Sequence, residues 1–328
     1  VLDLDNDIRT LAAEPDAADD PNGAILFHDI NDLAVGEVTV TVNTDTWTVT
    51  GITTIASADA DDDADPIPAA DVKLIAGGNL VIEEAIDLGH DPDLAGSLYL
   101  DVEGNVTQTG NGTITADGLA LIVDGYTVLD LDNDIRTLAA EPDAADDPNG
   151  AILFHDVDDL VVGTVTVMVH ADSWEVDGIT ITDDDLKLIV GGDLAIEEAI
   201  ELGAGSSYLN VEGNVTQSGS GTITADGLAL IVDGYTVLDL DNDIHTLAAE
   251  PDAADDPHGA ILVHDLNDLA VGEVTVTVNT DSWTVTGITT IASANVAEAD
   301  PIPAADVKLI VGGNLVIEEA IDLGHDPD

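Results

Sequence analysis

Among the 328 residues there is no cysteine, so a disulfide framework and thiol chemistry are excluded. Cationic side chains are almost missing as well. Arg9, Arg136, Lys73, Lys187 and Lys308 stand against 68 acidic residues, and the net charge is −63. Nucleic acid and anionic membrane surfaces are therefore poor partners. No apolar run approaches the ~20 residues of a membrane span, so this segment does not insert in a bilayer. Aromatic residues make up only 3%, which suits a narrow core of Val, Ile, Leu and Ala. Yet 45% of the chain is hydrophobic, which separates it from a disordered acidic tail.

What is present is repetition. VLDLDNDIRTLAAEPDAADDPNGAIL begins at Val1 and returns unchanged at Val128. It returns at Val237 with His245 in place of Arg9 and His258 in place of Asn22. The repeats run 1–127, 128–236 and 237–328, the last stopping short of a full period. Val1 enters in mid-repeat, so the chain reads as a window on a longer array. A long period built of short apolar runs means stacked like modules, and one continuous solenoid is expected across all three. Repeat 2 omits the acidic stretch of 56–70 and shortens 90–95, while the flanking apolar runs survive. Both segments, and 292–305, read as surface excursions.

The local pattern is β throughout. In 37–43 Val38, Val40 and Val42 share one face, and 46–55 alternates likewise. Residues 71–86 read as two strands broken at Gly77-Gly78, and 118–140 as three strands with an Asx-rich corner. Pro15 and Pro21 argue for a loop over 10–21. Hairpin signals are scarce, with Asn111-Gly112 the best candidate. Repeat 2 divides into about five coils of ~22 residues, as β-solenoid stacking demands. A sandwich per repeat is the competing architecture; it needs longer strands and more hairpins than the pattern offers.

The runs 104–125 (GNVTQTGNGTITADGLALIVDG), 133–140 (NDIRTLAA), 150–156 (GAILFHD), 159–167 (DLVVGTVTV) and 191–196 (GGDLAI) resemble repeats of filamentous-haemagglutinin-like bacterial surface adhesins. The likeness covers essentially the whole chain. It implies a right-handed parallel β-helix, export by two-partner secretion or a related route, and an extracellular, cell-surface role as an adhesive or structural filament. The acidity departs from the many neutral or basic members of that family.

Stacked carboxylates explain little and demand something. Like charges ~4.8 Å apart repel by roughly 0.9 kcal/mol per pair in water. Near 1 M salt the screening length is ~3 Å and most of this disappears. One reading is adaptation to salty water. The other is Ca²⁺ held between carboxylates. If 1–5 is a strand with Leu2 and Leu4 inward, Asp3 and Asp5 share the outer face. Their counterparts are Asp130 and Asp132, then Asp239 and Asp241. Each pair is a candidate Ca²⁺ clamp, and Ca²⁺ is the only cofactor that the sequence suggests. The segment lacks the glycine and distal glutamate of an EF-hand, so a solvated acidic corner is the competing reading. The acidic run Asp59, Asp61, Asp62, Asp63 and Asp65 reads as a solvated loop.

The remaining marked residues recur once per repeat. His28, His155 and His264 each precede an Asp and read as hydrogen-bonded corner residues. Lys73, Lys187 and Lys308 share one position and read as neutralisers of nearby carboxylates. Trp47, Trp174 and Trp283 fall on the face of the alternating valines and read as core or cap packing. No unique polar cluster marks a catalytic centre, so the chain reads as a non-enzyme. Two functions stay open: a self-associating fibre segment, or a repeated carbohydrate- or Ca²⁺-binding module that acts through avidity toward cell-surface or matrix glycans.

Overall fold

The computed structural model describes residues 1–15, 23–54, 56, 69–89, 94–142, 150–251, 259–290 and 306–323. Residues 57–68 of the 56–70 excursion, the excursion 292–305, residues 90–93 of 90–95, residues 16–21 of the 10–21 loop, and the acidic run Asp59 to Asp65 lie outside the described residues. The described chain is all β, with no helix. It forms two compact bodies. One comprises Val1–Gly150 with Thr164–Asp177, and the other Ala151–Gly163 with Gly178–Asp328.

In the first body, period-2 alternation sends every second side chain inward, and the strands pair in parallel to stack those side chains in columns. One stack runs Leu2–Asn6, Ile25–Asp29, Val72–Ala76, Ser97–Val102, Ile114–Val123 and Thr127–Ala140. A second runs Thr10–Leu11, Leu33–Val35, Leu80–Ile82 and Val106–Gln108 to the start of Thr127–Ala140. A third joins Ile52–Thr53, Ile86–Asp87 and the start of Ile114–Val123. The chain visits the three in a fixed cyclic order. Phe27, Leu74, Leu100, Leu121 and Ala140 form one inward column, and Ile52, Ile86 and Ile114 another; all are buried. Each Leu, Ile or Phe among them contributes about 1.5–3 kcal/mol on burial. The second body repeats the plan, with Leu188 and Leu209 in register and Ile200 paired to Ile223.

The corner between the first two stacks explains the glycines read as a strand break. Gly78, Gly104 and Gly125 lie one above another. A Cβ on Gly104 would stand 2.7 Å from the Gly78 carbonyl carbon, and one on Gly125 would stand 2.6 Å from the Gly104 oxygen. Beside them runs an amide ladder. Asp32 Oδ1 accepts from Asn79 N at 2.7 Å, Asn79 Oδ1 from Asn105 N at 3.0 Å, and Asn105 Oδ1 from Tyr126 N at 3.0 Å.

Two local expectations are corrected. Antiparallel hairpins do occur: Glu37–Val42 with Asp45–Thr50, Thr164–Val169 with Asp172–Asp177, and Glu273–Val278 with Asp281–Thr286. Their turns start at Asn43, His170 and Asn279, with φ of 58°, 62° and 56°. None carries the Asn-Gly signal, and Asn111-Gly112 instead turns the chain between parallel stacks. The Asx-rich corner inside 118–140 is likewise no break in strand Thr127–Ala140, because Asn133 points inward and holds the bend with its own amide.

Candidate functional site

The carboxylate pairs sit on the outside. Asp5 is exposed, with an oxygen 3.9 Å from His28 Nδ1. Asp241 lies 3.6 Å from His264 Nδ1 in the same way. Asp130, Asp132 and Asp239 are exposed, and the side chain of Asp3 lies outside the described residues. Among the described residues no three His, Asp or Glu groups converge as a metal site would need. His90-Asp91 and His325-Asp326 lie outside them.

The recurring His-Asp pair works differently from its reading as a corner histidine bonded to its neighbour. At His28 and His264 the histidine faces a carboxylate of the preceding circuit, and in all three pairs the aspartate after the histidine is the buried member. Asp29, Asp156 and Asp265 are fully buried. Asp29 accepts from Ile8 N at 2.8 Å and Asn31 N at 3.0 Å. Asp265 accepts from Ile244 N at 2.6 Å and Asn267 N at 2.9 Å. Burial raises the Asp265 pKa, and these amides oppose the rise. The signal was parity: Asp29 is in phase with inward Ile25 and Phe27. Asn133 and Gln108 form a second inward polar pair. Gln108 Nε2 donates to Asn133 Oδ1 at 2.6 Å, and that oxygen also accepts from Ile114 N at 2.9 Å.

The outward face of the long stack carries the most distinctive geometry. Leu26, Lys73, Tyr99, Ala120 and Ala139 form one column by strand register. Hairpin 164–177, which belongs to repeat 2, lies across it. Val165, Val167, Val169 and Val176 are buried against Tyr99, Ala120, Ile122 and Ala139, with Trp174 partly buried beside them. Lys73 is 4% exposed. Its Nζ lies 3.8 Å from the Tyr99 ring centre, 4.7 Å from that of Trp174, and 3.2 Å from Asp101 Oδ2. Gly118 makes room for the hairpin, since a Cβ there would stand 2.8 Å from Val165 Cγ1. Asp71 ties the edge: Oδ1 accepts from Ser97 N at 2.8 Å, and Oδ2 from Met168 N at 2.6 Å. Burial raises the Asp71 pKa against those two bonds.

The second body repeats this clasp with hairpin 273–286. Lys187 Nζ lies 3.6 Å from the Trp283 ring centre and 4.8 Å from Tyr208. Asp185 accepts from Ser206 N at 2.7 Å and from Thr277 N at 2.6 Å. Near the lysine the two clasps differ in charge: Asn210 stands where the first clasp has Asp101. Burial pushes the Lys187 pKa down to about 8, opposed by Asp281. Lys73 and Lys187 are thus buried in aromatic cages and not on the surface; Lys73 keeps in Asp101 the carboxylate partner expected of it. Trp174 and Trp283 cap an outer face, and Trp47 is 56% exposed, so none of the three enters the inward columns.

No family model, curated protein or solved structure matches this chain.

Proposed function

We propose that the chain is a segment of a structural or adhesive extracellular filament, wound as a right-handed parallel β-helix, of the filamentous-haemagglutinin-like kind that its motifs resemble. The observation that carries this reading is the clasp. Each of two hairpins is seated on a face built largely by the repeat before it, on Lys73 in one case and Lys187 in the other. An array whose repeats fasten one another gains from being long, as a scaffold does and a single-site enzyme does not. The acidity suits a fibre that stays hydrated in salty water and bundles when charge is screened.

The competing module reading, with glycans or Ca²⁺ as ligand, asks for an accessible aromatic stripe or a convergent carboxylate set. The seating of Trp174 and Trp283 against lysine and tyrosine favours the structural reading. Electron microscopy and small-angle scattering of the natural assembly across a salt series test it. Fibres that bundle as salt rises are expected. Compact monomers at every salt concentration would put the binding-module reading ahead.

A further inference from the structure

The clasp occurs twice closed and once as an open half. Hairpin 37–50 has the same residues on its face as the two seated hairpins: Val38, Val40, Val49 and Trp47 match Val165, Val167, Val176 and Trp174. The seated valines are buried, whereas Val40 and Val42 are each 52% exposed. The edge amide that meets Asp71 at Met168, and Asp185 at Thr277, belongs here to Thr41. Thr41 meets no carboxylate among the described residues. At the far end of the chain the opposite half is open. Asp306 and Lys308 take the positions of Asp71 and Lys73 and are exposed, as is Ile310.

We propose that hairpin 37–50 is a docking element, and that its partner is the lysine–tyrosine face of a further copy of this repeat. The occupant follows from complementarity that the chain already displays. A valine face, one tryptophan and one edge amide meet a lysine between rings, a glycine gap and an aspartate at both closed clasps. A lipid surface would leave the Thr41 amide without its carboxylate, and a glycan would leave the valines without an apolar partner. The inference goes beyond the fibre reading, because it needs only one further repeat and holds or fails whether or not fibres form.

Hydrogen exchange read by mass spectrometry tests it, with the three hairpins as mutual controls. In the chain as it stands, 37–50 exchanges at least ~100-fold faster than 164–177 and 273–286, as a fraying element does beside packed ones. The chain is then lengthened by a second copy of 128–236 ahead of Val1, recreating the Thr236–Val237 joint. Hairpin 37–50 then becomes as protected as the other two, and the added copy's own hairpin becomes the fast one. Lys187→Glu with Tyr208→Ser, made only in the added copy, returns 37–50 to fast exchange while the added copy's inward strands stay protected. Three results would overturn the proposal: equal protection of all three hairpins in the original chain, fast exchange of 37–50 in the lengthened chain, or an added copy whose strands stay unprotected despite a joint already used twice.

Discussion

The Lys187 ammonium lies 3.6 Å from the centre of the Trp283 ring, with Asn210 where the first clasp offers Lys73 a carboxylate. The burial of this ammonium makes the fold answer to pH. Burial holds the Lys187 pKa near 8 against an ordinary 10.5. Between these values the unfolded chain keeps a proton that the folded chain has released, so stability rises with pH across this window. Below about 8 the charged, buried lysine costs on the order of 3 kcal/mol, partly offset by the ring faces. Lys187→Met should abolish the rise between pH 8 and 10.5 in urea denaturation, and Asn210→Asp should shrink it. A variant with the same pH profile as the parent would sink this account.

The three tryptophans separate seated from unseated hairpins. Trp174→Ala and Trp283→Ala should each cost about 2–4 kcal/mol, since each empties a packed cage, while Trp47→Ala should stay within ~0.5 kcal/mol. Equal losses at all three positions, measured by chemical denaturation, would contradict the exposure of Trp47.

A similar contrast tests the inward amides. Asn133→Ala orphans Ile114 N in the interior and takes from Gln108 Nε2 one of its two acceptors, leaving it only the Gly112 oxygen, and should cost roughly 3 kcal/mol. Asp130→Ala, three residues away on the exposed side, should be neutral or slightly stabilising, because it removes one charge from a crowded surface. Thermal melts of the two variants decide.

Ions give the fourth expectation. Melting temperature should climb with NaCl toward ~1 M and level off as the screening length reaches ~3 Å. Calcium chloride at matched ionic strength should give the same curve. Saturable Ca²⁺ binding by calorimetry, lost in Asp132→Asn or Asp241→Asn, would instead favour the carboxylate clamps.

The stacks were legible because Phe27, Leu74 and Leu100 obey a two-residue period that any inward column imposes. The hairpins were hidden by the same rule. Val38, Val40 and Val42 alternate just as stack residues do, and nothing in Asn43-Thr44 announces the reversal. The inward Asn133 and Asp29 were masked by polarity: in so acidic a chain one more Asx looks like surface, and only its phase says otherwise. The clasp was out of reach. Lys73 and Trp174 share no local pattern, and the face they form exists only after the strands of one repeat are stacked and the hairpin of the next folds back.

That return has a consequence under tension. Pulled from its ends, a plain stack of parallel strands would peel one circuit at a time at modest force. Here Trp174 and Met168, held by the Lys73 cage and Asp71, pin several circuits together, so the fastening must rupture before any of them can pay out. Slack would then be released in quanta near one 109-residue repeat, roughly 380 Å of extended chain at ~3.5 Å per residue. Between ruptures a chain pulled in this way would be stiff, and at each rupture it would lengthen by a fixed step.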